Sequence, residues 1–390
     1  MPSSIIPVLI AVAMLVGCKE STGIDLSAVS CDNSFSLMDN RNVLLFDYEP
    51  GRKAINTVVS LKLEQVTQAT YLCDARALAI GYSYRGPKGE DSGIDLLGAS
   101  STQSTALNEE GFARFVSRGK DLIVSTTLVR RKPMASSEFG YLSLREYSDW
   151  PERVRGHPVA KPEHVYFDLL TISVPNLSVT RRLRSPLVDD MRVEDGKLLI
   201  SSAFDTIEVD LRTGFRTLVS DISFLAPFPV NSGHLLQASG RYFAVIGPRP
   251  NTAQKTEYEA NSLYFVDAST RRAKLLAKVD FDLTYAAADL RSVFLFGAKN
   301  LAVYHVAEQR IEVLTLALHG STVTAFAPIE AGYAVFLSKP TPNRPGYFSG
   351  GTIAVFSPSF DELLATQEIA DFGPPVLTSK QAPTNIRGSF

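Results

Sequence analysis

The chain has 390 residues, 45% of them hydrophobic and 21% charged, with a formal net charge of −2. That balance belongs to a folded domain and lacks the positive excess that binding to nucleic acid requires. The length is large for one undivided core, so a core assembled from repeated units is expected.

The first element is the apolar run Ile5 to Val16, which ends in Leu15-Val16-Gly17-Cys18. It is too short to span a bilayer and has the length of a signal-peptide core. The tetrad resembles the lipobox of bacterial lipoproteins. The resemblance covers about the first twenty residues. It implies cleavage before Cys18 and acylation of the cysteine's sulfur and new amino group. Met1-Pro2-Ser3-Ser4 departs from the pattern in carrying no Lys or Arg, and Pro7 is unusual within the apolar core. Lys19 follows the cysteine and resembles an outer-membrane address. Residues 1–17 are then signal peptide, 18–31 the lipidated Cys18 with its tether, and 32–390 the globular domain. The expected location is the bacterial cell envelope, with the membrane as one partner through the lipid.

Cys31 and Cys73 are the remaining cysteines. Two thiols in an oxidising compartment are most simply a disulfide pair. A bridge would close a loop of roughly forty residues, worth about 3–4 kcal/mol. Two buried free thiols are the alternative. Their spacing matches no metal motif.

Beyond the tether, a unit recurs with constant rhythm: a modest strand, a short turn, a solid apolar run, a loop, then a hairpin with a polar turn. The apolar runs include Leu78-Ala79-Ile80, Leu122-Ile123-Val124, Leu198-Leu199-Ile200, Tyr242 to Ile246, Val293 to Phe296 and Tyr333 to Leu337. They lack apolar–polar alternation, so both faces of each strand are expected to be buried. Hairpins follow them. Ile207 to Asp210 turns through Arg212-Thr213-Gly214, Leu301 to Tyr304 through Glu308-Gln309, and Ile353 to Phe356 through Pro358-Ser359. Val43 to Asp47 turns likewise at Pro50-Gly51, with ordinary turn chemistry.

Four short strands per unit, repeating at about 35–70 residues, resemble a β-propeller. The fold expected is all-β, a single propeller of about seven four-stranded blades, with six or eight as alternatives. The blades fall near 32–66, 67–108, 109–184, 185–220, 228–280, 281–319 and 320–370. A β-sandwich would show cleaner alternation.

With strands lettered A to D in each blade, A–B and C–D turns share one face, and B–C and D–A connections the other. The long insertions follow the apolar B run: Arg131 to Glu163, Gly247 to Asn261, Lys339 to Gly351 and, smaller, Arg85 to Gly93. All therefore fall on one face, where long loops on a rigid scaffold carry binding. They hold Trp150, Arg153, His157, His164, Arg249, Tyr258, Arg344 and Tyr347. Trp, Tyr and Arg are the enriched anchors of protein interfaces. Each alone is equally a solvated or locally packed loop residue.

No constellation supports catalysis, and neither a cofactor nor a metal is expected. His157 and His164 match no zinc spacing, and there is no Gly-x-Ser-x-Gly elbow or phosphate loop. The sialidase-type Asp box is missing, as are the periodic Trp-centred motifs of quinoprotein-like propellers. The functional expectation is a non-enzymatic module that binds an envelope or surface protein through its loop-rich face. The alternatives are a hydrolase, lactonase or lyase at the central channel, or a carbohydrate-binding surface lipoprotein.

Overall fold

A computed structural model describes most of residues 24–380. Outside the described residues fall 1–23, 107–113, 130–164, 186–189, 211–215, 222–232, 249–257, 341–347 and 381–390, with gaps of one to three residues elsewhere. The strands are β1 Ser34–Met38, β2 Asn42–Glu49, β3 Ala54–Lys62, β4 Val66–Leu72, β5 Ala77–Gly86, β6 Gly89–Gly98 and β7 Thr102–Ala106. They continue with β8 Arg114–Arg118, β9 Asp121–Val129, β10 Val165–Ser173, β11 Ser178–Ser185, β12 Asp190–Glu194, β13 Lys197–Ser201, β14 Asp205–Val209 and β15 Arg216–Asp221. Then come β16 Gly233–Ala238, β17 Arg241–Ile246, β18 Ser262–Asp267, β19 Arg272–Lys278, β20 Leu283–Ala288, β21 Ser292–Gly297, β22 Asn300–His305 and β23 Arg310–Thr315. The last are β24 Thr322–Ile329, β25 Gly332–Pro340, β26 Phe348–Phe356, β27 Leu363–Ala370 and β28 Val376–Ser379.

Among the described residues these strands form seven four-stranded antiparallel sheets. Six are simple meanders, β4-β5-β6-β7 being the first in sequence. The first strands of neighbouring sheets touch, as β4 does β8, β8 does β12, β20 does β24 and β24 does β28. That arrangement is a β-propeller, each sheet a blade with its first strand innermost.

Burial grades outward across each blade and explains the sequence pattern. The second strand is sealed: every residue of β21 is buried, as is all of β17 after Arg241. The fourth strand alternates, as in β27 and β23. One face of a blade packs on the preceding blade and the other on the next. Phe336 points into the layer shared with β1 and β2, while Val335 and Leu337 join the layer shared with β20 to β22. Burial on both faces is why the second strand reads as an unbroken apolar run. At a coefficient of about 25 cal/mol per Å² of apolar surface, these layers are the main stabilising term.

The first blade corrects the sequence expectation. The stretch near 32–66 supplies three strands, and the innermost position is filled by β28 from the far end of the chain, in the order β28-β1-β2-β3. Phe35 pairs with Ser379 and Met38 with Val376. The ring is thus closed by strand pairing between the two ends of the domain. Side chains reinforce it: Thr378 Oγ1 donates to the Ala69 carbonyl at 2.7 Å, and Ser379 Oγ donates to that of Pro328. On the other side of β4, Gln68 bridges to β8, donating to and accepting from the Phe115 backbone at 2.7 and 2.9 Å.

Candidate functional face

Strand parity divides the connections as the repeat implied. One face, here the turn face, bears the A–B and C–D turns, of which the largest are 210–215 and 357–362. The opposite face, here the arm face, bears the connections 130–164, 247–261 and 341–347 between second and third strands, together with 222–232 between blades. The inequality is large, and it is one-sided.

Two insertions are shorter than expected. Arg85 to Gly93 is no loop: β5 and β6 stay paired through Arg85↔Glu90 to Gly86↔Gly89. In the last blade the ladder runs on to Pro340↔Phe348, which leaves only 341–347 as connection. In both places two strands continue beyond the blade as a ribbon. The sequence of such an extension carries none of the apolar runs that mark the blade strands.

Of the eight residues expected to bind a partner, Trp150, Arg153, His157, His164, Arg249, Arg344 and Tyr347 lie outside the described residues, as does Cys18. Tyr258 is described and is partly buried. Its ring packs edge-on to Tyr264 at 5.1 Å, beside Tyr242 and Ala273. It belongs to the footing of the insertion.

The footing itself is built around Asn261, which the sequence reading did not single out. Asn261 adopts a left-handed φ of 54°. Its N–H donates to the Gly247 carbonyl and closes the base of the insertion at 3.2 Å. Its side chain donates to Asp282 Oδ1 at 3.0 Å and accepts from the Leu283 N–H at 3.2 Å. Next to it, the Glu259 N–H donates to the Tyr264 hydroxyl at 2.8 Å, and the Glu259 carboxylate pairs with Lys278 at 2.8 Å. An Asn tolerates this backbone and caps a turn with its own amide, which is the signal that could have found it.

The turn face is stitched shut. The Leu290 carbonyl accepts both the backbone N–H and the hydroxyl of Ser239, at 3.0 and 2.8 Å. Tyr333 donates its hydroxyl to Asp289 at 2.9 Å, and burial beside that carboxylate raises the phenol's pKa. The N–H groups of Glu330 and Ala331 donate to the Asp32 carbonyl and the Asn33 side chain at 2.8 and 2.9 Å. From there the N-terminal segment 24–33 crosses to the second blade. Tyr71 donates to the Leu26 carbonyl at 3.0 Å, and Arg76 Nη1 to that of Val29 at 2.7 Å. Leu26 and Val29 are buried in the layer between the first two blades.

Cys31 and Cys73 meet in this crossing, but the expected disulfide is not formed: both are free thiols. The Cys73 thiol donates to the Cys31 carbonyl at 3.5 Å. Burial, then the neighbouring Cys31, pushes the Cys73 pKa up to about 12. A thiol held protonated is a poor partner for exchange, since the thiolate is the attacking species.

Among the described residues no group of three His, Cys, Asp or Glu is placed to hold a metal. His305 lies 3.6 Å from Glu312 across a strand pair of the sixth blade. Arg181 and Arg182 sit within β11, at the outer edge of its sheet. Charge along an exposed edge discourages sheet-to-sheet pairing.

No protein-family model matches the chain, and no curated protein matches it. Solved structures do. An acylaminoacyl peptidase from Pyrococcus horikoshii is 11% identical with a TM-score of 0.47, over 87% of this chain and 52% of that one. Apo AztD from Citrobacter koseri is 10% identical with a TM-score of 0.44, over 91% and 98%. The β-propeller domain of the Trilobed protease from Pyrococcus furiosus is 13% identical with a TM-score of 0.43, over 88% and 98%. The chain spans about half the length of the peptidase structures. These likenesses concern the fold.

Proposed function

We propose that the protein is a lipid-anchored β-propeller of the bacterial envelope that binds another protein through its arm face, without chemistry of its own. What supports the binding role is the one-sided distribution of connections. Every long insertion leaves and rejoins the blades on the arm face, whereas the turn face spends its polar groups on its own neighbours. The insertions contain the Trp, Tyr and Arg types that anchor interfaces. What supports the anchor is the tetrad Leu15-Val16-Gly17-Cys18 after a short apolar run. Among the described residues no helix is long and apolar enough to cross a membrane.

Photo-crosslinking in intact cells tests the binding role. A crosslinking amino acid at Glu90 or Lys339 on the arm face should trap one envelope protein reproducibly. The same group at Arg52 or Gln309 on the turn face should not. Adducts confined to the turn-face positions would overturn the proposal. Mass spectrometry of the mature N-terminal peptide, with Cys18→Ser as control, tests the anchor. An unmodified Cys18, or a mature chain beginning elsewhere, would refute it.

A further inference from the structure

The segment 24–33 settles how an anchored propeller would be oriented. Its hydrogen bonds and ion pair go to groups at the turn-face ends of the blades. Arg76, in the A–B turn of the second blade, holds the Val29 carbonyl at 2.7 Å. Glu330, in the A–B turn of the last blade, donates to the Asp32 carbonyl at 2.8 Å. Lys380, just past β28, pairs with Asp32 at 3.1 Å. Ser30 donates to Asp47 near the third strand's turn-face end at 3.3 Å. Leu26 and Val29 are sealed into the layer between the first and second blades. This is a docked strap with side-chain bonds along its length.

Ile24, where the strap begins, lies six positions after Cys18, with five residues between them. Fully extended, six residues reach about 20 Å. The blade is thicker than that: β2, at eight residues, measures about 24 Å from the turn face to the arm face. A lipid on Cys18 therefore cannot bring the arm face to the bilayer while the strap stays docked. Leu290 gives a second, independent pointer. It is 64% exposed, the most exposed large apolar side chain among the described residues, and it stands in an A–B turn beside Arg291. An apolar tip flanked by a cation suits the boundary between headgroups and acyl chains.

Resting on the lipid-anchor reading, we infer that the turn face is a membrane-apposed surface and that the docked strap 24–33 holds it there, so that the arm face is presented away from the bilayer. The partner of the turn face is a phospholipid surface. The protein partner of the arm face must approach from the aqueous side.

The full lipidated protein is reconstituted on phosphatidylethanolamine–phosphatidylglycerol vesicles carrying a short-range headgroup quencher. A dye is attached through an encoded azide residue at Arg52 or Leu290 on the turn face, and at Asn40 or Asp280 on the arm face. Co-flotation with the vesicles reads the anchor; quenching reads the orientation. The expected result is co-flotation with quenching several-fold stronger at Arg52 and Leu290. Equal or reversed quenching in protein that floats overturns the orientation and leaves the anchor standing. Failure to float with Cys18 intact overturns the anchor, and the orientation with it. Tyr71→Phe combined with Arg76→Ala removes both side-chain bonds to the strap carbonyls. It should diminish the contrast between faces, while an unchanged near-melting baseline and strand content show that the blades remain folded. An undiminished contrast would deny the strap its role.

Discussion

The Asp39 carboxylate accepts the Gly373 backbone N–H at 2.7 Å, joining the B–C turn of the first blade to the chain that enters β28. Asp39 is buried and takes further N–H bonds from Arg41 at 2.7 Å and Asn42 at 2.6 Å, with the Asn42 amide on both oxygens. One carboxylate thus shapes a turn and clasps the ring where β28 closes it onto β1.

Replacing Asp39 by Ala should leave several enclosed N–H groups without acceptors, a loss of about 3 kcal/mol or more. Asp39→Asn should cost less, because one oxygen remains. Whichever way the amide is turned, however, its NH2 faces either the Gly373 N–H or the turn's own donors. Urea unfolding of the three proteins should rank them wild type, Asn, Ala. A wild-type midpoint for Asp39→Ala would show that the seam does not depend on this contact.

Removing residues 376–390 tests the seam as strand pairing. β1 would lose its partner from Phe35↔Ser379 to Met38↔Val376, and a fully buried strand carrying Phe35, Leu37 and Met38 would become an open edge. Open apolar edges recruit other strands. The truncated protein should lose its cooperative melt or associate into oligomers, visible by light scattering. Removing 381–390 alone should leave the melt in place.

Two glycines predict opposite outcomes. Gly332 has a φ of 141°, and a Cβ there would sit 2.1 Å from the Phe356 carbonyl oxygen. Gly332→Ala must displace a neighbouring strand and should cost about 2–4 kcal/mol. Gly51, in a C–D turn, has nothing within 4 Å of its would-be Cβ. Gly51→Ala should stay within about 0.5 kcal/mol of wild type. Thermal melts suffice to compare them, and equal shifts would contradict the geometry.

The sequence reveals the blades where both faces of a strand are buried. Leu122 to Val124 and Val293 to Phe296 advertise themselves because no position faces water. It conceals β28, which has four residues with only Leu377 buried. Its partner β1 stands at the opposite end of the chain, so no local pattern or turn links them. The arms are hidden for a different reason: past Tyr84, β5 and β6 stay paired through Arg85-Gly86 and Gly89-Glu90, a polar and glycine-rich stretch with no apolar run to mark a strand. The side of the long insertions was legible from parity alone, since four strands per blade decide it. Tyr258 was not, because whether a loop tyrosine is free or packed depends on Tyr264, six positions on and in a different element.

The half-buried Cys73 thiol supplies a prediction in pH. Burial, and then the adjacent Cys31, raise its pKa from 9.0 to about 12 in the folded protein. Below pH 9 the thiol is protonated in both folded and unfolded chains, and its contribution to stability is fully present. As pH rises from 9 towards 12 the unfolded chain ionises first, so that contribution is lost across this window. Cys73→Ser should therefore show a shallower decline in unfolding midpoint between pH 9 and 12 than wild type, which separates the thiol from the tyrosines and lysines titrating alongside it. The same protonation slows chemistry at the sulfur, because it is the thiolate that attacks iodoacetamide and displaces iodide. At pH 8 the native protein should be alkylated at Cys73 far more slowly than the urea-unfolded chain, as read by peptide mapping of timed samples. Equal rates in the native and unfolded protein would mean that the thiolate is not suppressed at this site.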